Sequence, residues 1–390
     1  MNSWISRRVL VALAIGLAAC GDDEAGPAQP DQAEPATAGC HDGRASDSPA
    51  LYQVCYPASW NGDLVVYAHG YIPGDQPLAV PDDEVDGQSV AQIVTSTGAA
   101  YAGTSYRANG LVADQAVGDV AQLVADVRQR FEPDPARVFV VGVSEGGLVA
   151  ALSAEQHPEL FAGALAACGP VGDFTAQIDY FGDFRVLFDW YFPDVIPGGP
   201  VDVPDSVRTQ WSTVFVPRII EALQNDPLAA LELLVVAGAP HDPQDLLSVG
   251  TTVIGALSYD VFALVDARAR LGGQPYDNVG RQYHGSPNDA GLNAGVARVT
   301  ADPAARAGLA TFETTGAITI PVSLVHTTGD PIVPSAQSEL YAAKVAGQGA
   351  AGLLELTTVD RFGHCSFTQS ELLDAFAGLL GRASAAARVD

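Results

Sequence analysis

Arg137-Val138-Phe139-Val140-Val141-Gly142-Val143-Ser144-Glu145-Gly146-Gly147 is the stretch whose reading decides the fold. Val138 to Val141 is an uninterrupted apolar run, which reads as a strand buried on both faces, and it passes directly into a G-x-S-x-G pattern, Gly142 to Gly146. A serine on so sharp a strand-to-helix turn sits in strained backbone, and only residues without a Cβ let the neighbouring chain pass close to it. Gly147 to Ala154 is small and apolar enough for a buried helix, stopped at His157-Pro158. Strand before and helix after supply the context in which a serine hydroxyl is presented as a nucleophile.

Working outward, 390 residues with 48% hydrophobic and 17% charged side chains can bury a large core, and length alone allows two or three domains. Nineteen Lys and Arg against 46 Asp and Glu leave a formal charge of −27. Such a surface repels phosphate backbones, so nucleic acid is excluded as a partner, and the acidity reads as solubilising. At the N-terminus, Arg7-Arg8 precede an apolar run from Val9 to Ala19, too short to span a bilayer, which makes residues 1–19 a secretory signal. Its end, Leu17-Ala18-Ala19-Cys20, resembles the lipobox of bacterial lipoproteins. The resemblance implies lipidation of Cys20, membrane attachment through that lipid and, with Gly21 rather than Asp following, an outer-membrane address in a Gram-negative cell. An ordinary signal peptide cut near Ala19 is the plainer alternative. Residues 20–39 carry almost no apolar side chain larger than alanine and read as a disordered tether.

After the tether, Cys40 and Cys55 bracket a polar loop, and an exported chain is expected to bridge them. Leu51 to Tyr56 alternates like an edge strand, and Asp63 to Ala68 is a buried strand ending at His69-Gly70-Tyr71. Asp82 to Gly87 has the first spacings of a calcium loop, but Ile93 stands where a bidentate Glu is required, so it reads as a solvated acidic loop. A strand near Ala99 to Ser105 leads to a helix with Asp114 as expected N-cap, whose face is Val117, Val120, Val124, Val127 and Phe131. Strand and helix alternate again through Ala167, which predicts a mostly parallel sheet with helices on both faces. Between 170 and 317 the apolar runs recur at helical spacing, predicting a helical cap inserted before the late strands. The sheet resumes at Ile318 to His326, followed by Gly329-Asp330-Pro331 on a tight turn. A helix to Val345 and a strand from Leu353 to Val359 lead to Phe362-Gly363-His364-Cys365. Thr368 and Glu371 form a capping box for the last helix.

The order Ser144, Asp330, His364, each behind an expected strand, resembles the α/β-hydrolase superfamily over about residues 50 to 385. The resemblance implies an α/β-hydrolase core over 40–169 and 318–390, with 170–317 as a cap or lid between the sixth and seventh strands. It implies Ser144 as nucleophile, His364 as general base and acid, and Asp330 as the group that orients the imidazole. The backbone N–H groups of Tyr71, after the His69-Gly70 turn, and of Glu145, between the elbow glycines Gly142 and Gly146, would form the oxyanion hole. No cofactor is implied, and no other histidine has a spacing to a second metal ligand. The expected reaction is cleavage of a small-molecule or lipid carboxylic ester through an acyl-enzyme. A serine peptidase, aminopeptidase or prolyl-oligopeptidase-like, and a non-catalytic binding lipoprotein on the same fold are the alternatives. His364-Cys365 also resembles tannases and feruloyl esterases, whose second cysteine precedes the serine; here Val143 stands there. Cys168 and Cys365 remain unpaired by this reading. Both fall at the carboxyl edge of the sheet, which predicts a Cys168–Cys365 disulfide, with two buried free thiols as the alternative.

Overall fold

The computed structural model describes residues 33–386. Eight strands form its main sheet: β1 (Gly39–Arg44), β2 (Leu51–Tyr56), β3 (Asp63–Ala68), β4 (Ala100–Thr104), β5 (Arg137–Val143), β6 (Gly163–Ala167), β7 (Val322–Gly329) and β8 (Leu354–Phe362). Their order across the sheet is β8-β7-β6-β5-β3-β4-β2-β1. β1 and β2 run antiparallel to their neighbours and the other pairs are parallel. A parallel sheet is stable only when both faces are covered, and β3, β4 and β6 are accordingly buried at every position.

Alternation along β5 divides the two faces. Val138 and Val140 pack in the cluster that holds α2 (Ala113–Arg130) and α3 (Glu145–Gln156), together with Tyr341 and Val345 of α6 (Ala336–Gly347). Phe139, Val141 and Val143 point the other way, toward α1 (Val90–Ser96) and α7 (Gln369–Ala386). Thr368 and Glu371 do exchange the two backbone hydrogen bonds of a capping box at the start of α7.

Between β6 and β7, from Phe174 to Phe312, the regular elements are all helices. The longest are α4 (Phe174–Tyr191) and α5 (Leu247–Tyr259), the latter continuing through a π-helical turn, Asp260–Leu264, into Val265–Leu271. Charged side chains on α4, of which Asp179 and Arg185 are buried, tie this region together. Asp179 accepts from both Arg281 and Arg306, Asp183 from Tyr276, Tyr283 and Arg281, and the fully buried Arg185 reaches Asp189 and Asp260.

Some details differ from the sequence reading. α2 begins behind Val112 with no side-chain cap of its own, and Asp114 instead pairs with Arg270. The cap is supplied from a distance by the Glu145 carboxylate, which accepts from Val112 and Ala113 N–H at 2.7 and 3.0 Å. Part of the expected tether is ordered, since Glu34–Pro35 pairs with Phe131–Glu132 and Ala36 N–H donates to Glu132 C=O. The acidic 82–87 segment is a short hairpin whose Asp83 accepts from Tyr67 hydroxyl at 2.7 Å and whose Asp86 accepts from Gln369 N–H at 2.8 Å. The segment 1–19 and Cys20 lie outside the described residues.

Candidate active site

Ser144 sits between β5 and α3 with φ 56° and ψ −125°, a conformation that costs a non-glycine residue about 1–3 kcal/mol and persists only where packing over-determines it. Here packing does. A Cβ on Gly142 would lie 1.9 Å from Gly146 O, and one on Gly146 would lie 2.0 Å from Ala68 O, so both elbow glycines are required by contact. Ser144 N–H donates to Ala167 C=O across the end of β6, which fixes the turn against the sheet.

Two loops bring the other members to it. His364, on the turn after β8, places Nε2 2.8 Å from Ser144 Oγ and Nδ1 2.8 Å from Asp330 Oδ2. This network assigns the Nδ1–H tautomer, with Nε2 accepting from the serine. Asp330, on the turn after β7, is 1% exposed, and its other oxygen accepts from Ile332 and Val333 N–H, both at 2.9 Å. Burial works to raise its carboxyl, but the neighbouring His364 and His326 outweigh it and hold the group below its ordinary value. The aspartate therefore stays ionised beside His364.

The disulfides are Cys40–Cys55, across the β1–β2 pair, and Cys168–Cys365. Cys168 and Cys365 both hold left-handed backbone, φ 49° and 51°, with Cα atoms 5.4 Å apart. The second bridge ties the His364 turn to the end of β6, one strand beside the elbow strand that ends in Val143. Cys168, His364 and Cys365 also form the one cluster of metal-ligand types among the described residues, but both sulfurs are consumed by the disulfide.

The His69-Gly70-Tyr71 turn lies directly against the serine, because a Cβ on Gly70 would sit 3.2 Å from Ser144 Cβ. His69 is buried, donates from Nδ1 to Gly70 C=O at 2.7 Å and stacks on Tyr106 at 4.0 Å, while Tyr106 hydroxyl donates to His69 C=O. Burial lowers the His69 imidazole below its ordinary value, so it serves this turn as a neutral group. Among the described residues, no carbonyl or side chain takes up the backbone N–H of Tyr71 or Glu145, so both remain available beside Ser144.

Three contributors were not singled out in the sequence. Tyr259, the last residue of α5, lines the small cavity beside Ser144 and stacks on Phe181 at 4.9 Å. Burial pushes its hydroxyl up to about 12, so it stays protonated throughout the working range. Asp266 accepts from Tyr71 hydroxyl, which ties the helical region to the His69-Gly70-Tyr71 turn. His326 donates from Nε2 to Val333 C=O at 2.9 Å and accepts from Ser338 at Nδ1, lying 3.5 Å from Asp330. None of these carries a motif, and only a buried histidine one helical-turn length before Asp330 could have hinted at the last. Leu111, Phe174, Ile178, Phe181, Tyr259 and Val333 close over Ser144, leaving a cavity of about 30 Å³.

Strand order, elbow and the two late loops decide the architecture. The fold is that of the α/β-hydrolases. A family model described as serine aminopeptidase, S33, matches residues 102–237, a span that holds Ser144 but neither Asp330 nor His364. No curated protein sequence matches the chain. Among solved structures, the chain is similar to feruloyl esterase B from Aspergillus oryzae at 17% identity and TM-score 0.46, over 84% of this chain and 73% of that one. It is similar to proline iminopeptidase from Mycobacterium smegmatis at 13% identity and TM-score 0.46, over 89% and 99%. An esterase from Pyrococcus furiosus gives 13% identity and TM-score 0.45, over 87% and 90%.

Proposed function

We propose that the protein is a serine hydrolase that cleaves carboxylic esters through an acyl-enzyme. The single observation that carries this reading is the unbroken chain Ser144 Oγ, His364 Nε2, His364 Nδ1, Asp330 Oδ2, with both hydrogen bonds at 2.8 Å. Ser144 Oγ attacks the acyl carbon as its proton passes to His364 Nε2, and the imidazolium so formed is stabilised by the ionised Asp330. The Tyr71 and Glu145 amides receive the developing oxyanion. His364 then returns the proton to the leaving alcohol, and water repeats the sequence to release the acid.

A peptidase reading draws on the family model described as a serine aminopeptidase. An aminopeptidase needs a carboxylate to pair with the substrate ammonium. Among the described residues, the one carboxylate lining the small cavity directly over Ser144 is Glu145, and its Oε1 is taken by Val112 and Ala113 N–H, while Asp83, Glu84 and Asp86 line a separate, larger cavity that neither Ser144 nor His364 borders. Burial also pushes Glu145 up to about 8, which leaves it largely neutral at pH 7. Esters are therefore favoured. Hydrolysis of p-nitrophenyl acetate beside alanine and proline p-nitroanilides tests this, with kcat/KM for the ester expected at least a hundredfold higher. A preference for either anilide would replace the ester reading with the peptidase one.

Export and attachment through a lipid on Cys20 complete the proposal, supported by Arg7-Arg8, the apolar run to Ala19 and the Leu17 to Cys20 pattern. Cys20→Ser should then move the protein from the detergent phase to the aqueous phase, and unchanged partitioning would count against the anchor.

A further inference from the structure

On the face of the sheet opposite α2 and α3, the covering helices do not close. α1 has 7 residues against 18 in α7, and between them, over Val141, Val143 and Leu165, lies a cavity of about 420 Å³. Native cores leave few voids larger than a water molecule, whereas ligand sites run to about 300–1,000 Å³. Val141 and Val143 stay half-buried in a central strand for this reason, and Val94, Leu373 and Phe376 complete an apolar wall.

Two wall residues bring the cavity next to the reaction centre, although neither Ser144 nor His364 is itself in the wall. Cys365, in its wall, has its sulfur 3.4 Å from His364 Nε2. Gly70 is also in the wall, and even a Cβ there would approach Ser144 Oγ to 3.8 Å. Gly70 stands between the cavity and Ser144, and Cys365 between the cavity and His364. On the opposite side, under Phe181 and Tyr259, only about 30 Å³ is free at Ser144, room for about two waters. An ester held at Ser144 must therefore extend its larger part toward α1 and α7. At the outer rim stand Asp83, Glu84 and Asp86, whose field is hostile to an anionic terminus.

We propose that this cavity binds the longer, apolar and uncharged arm of the ester cleaved at Ser144, so that the substrates are medium-chain or aryl esters with one short arm. The proposal rests on the ester-hydrolase reading. Each methylene that moves from water into such a wall is expected to raise kcat/KM about fourfold.

Two series test it on the full chain: p-nitrophenyl esters with acyl arms of two to ten carbons, and alkyl acetates with alcohols of the same lengths. One series should rise at least a hundredfold from two to eight carbons. Leu373→Trp, which fills the cavity from α7, should abolish that rise, read as the ratio of eight-carbon to two-carbon kcat/KM within the same protein. Leu373→Ala should shift the optimum to longer arms, and an arm ending in a carboxylate should be at least tenfold poorer than its methyl-ended counterpart. Both series flat with chain length in a protein that cleaves the acetate would overturn the cavity assignment alone. Leu373→Trp and Leu373→Ala that both retain the wild-type profile would do the same. A protein that neither cleaves the acetate nor takes a fluorophosphonate label would overturn the ester reading and the cavity assignment together.

Discussion

Replacing Cys168 and Cys365 together by alanine should lower the thermal midpoint by up to about 7 °C. The bond closes a sequence separation of 197, for which chain entropy gives about 5 kcal/mol as an upper figure. Unfolding roughly 350 ordered residues carries an entropy of about 0.7 kcal/mol/K, and the ratio of the two is the predicted shift. Turnover should suffer less than stability. The His364 turn is also held by Gly363 N–H donating to Gly329 C=O at 3.0 Å, by Thr327 hydroxyl donating to Gly363 C=O at 2.7 Å, and by Arg361 pairing with Glu371. Ester kcat at 25 °C is therefore expected within tenfold of the parent. Scanning calorimetry of both proteins reads the shift without reductant, which would also open Cys40–Cys55 and add the effect of its shorter loop. A midpoint within 1 °C of the parent, or alkylation of both thiols in denatured but unreduced protein, would refute the reasoning.

Glu145 makes stability fall with rising pH. Its folded carboxyl is raised to about 8 by burial while the unfolded one keeps its ordinary value near 4.5, so its contribution is full below about 4.5 and is lost as pH climbs through about 8. Glu145→Gln keeps an acceptor for Val112 and Ala113 N–H and should flatten the decline in thermal midpoint between pH 5 and 8; an unchanged slope would assign the decline elsewhere. Tyr259→Phe removes a protonated hydroxyl from the lining of the small cavity at Ser144 and should cut kcat about fivefold with KM and thermal midpoint unchanged, the effect of losing one hydrogen bond of about 1 kcal/mol to the reacting group. A rise in KM without loss of kcat would make Tyr259 a binding residue instead. Asp330→Asn should fold normally and lose about three to four orders of magnitude in kcat, since the amide cannot hold the Nδ1–H tautomer.

What could be read from the chain was local. The apolar run Val138 to Val141 and the glycines around Ser144 specify strand, turn and helix within a dozen residues, and the order of the late turns follows from strands flanked by Gly-Asp-Pro and Gly-His. The pairing of Cys168 with Cys365 was accessible because both had to fall at one edge of a parallel sheet. What escaped was non-local. No spacing marks Glu145 as the cap of a helix that begins 32 residues earlier, which is why Asp114 was the expected cap. Tyr259 and Asp266 come to the cavity at Ser144 and to Tyr71 from a helix more than a hundred residues away, and nothing in their neighbourhood distinguishes them from packing residues. The cavity beside α7 comes from the shortness of α1, and helix ends are the feature that periodicity fixes least well. Glu34–Pro35 joined the folded part by backbone pairing alone, which composition does not encode.

The most direct test of the central claim is intact-mass measurement after exposure to a fluorophosphonate. The purified protein should gain a single adduct, mapped to the peptide containing Ser144, while Ser144→Ala, folded by circular dichroism, gains none. Labelling should collapse in His364→Ala, because Oγ then has no acceptor 2.8 Å away for its proton. An unlabelled wild-type protein, or an adduct that persists in Ser144→Ala, would contradict the assignment of Ser144 as nucleophile.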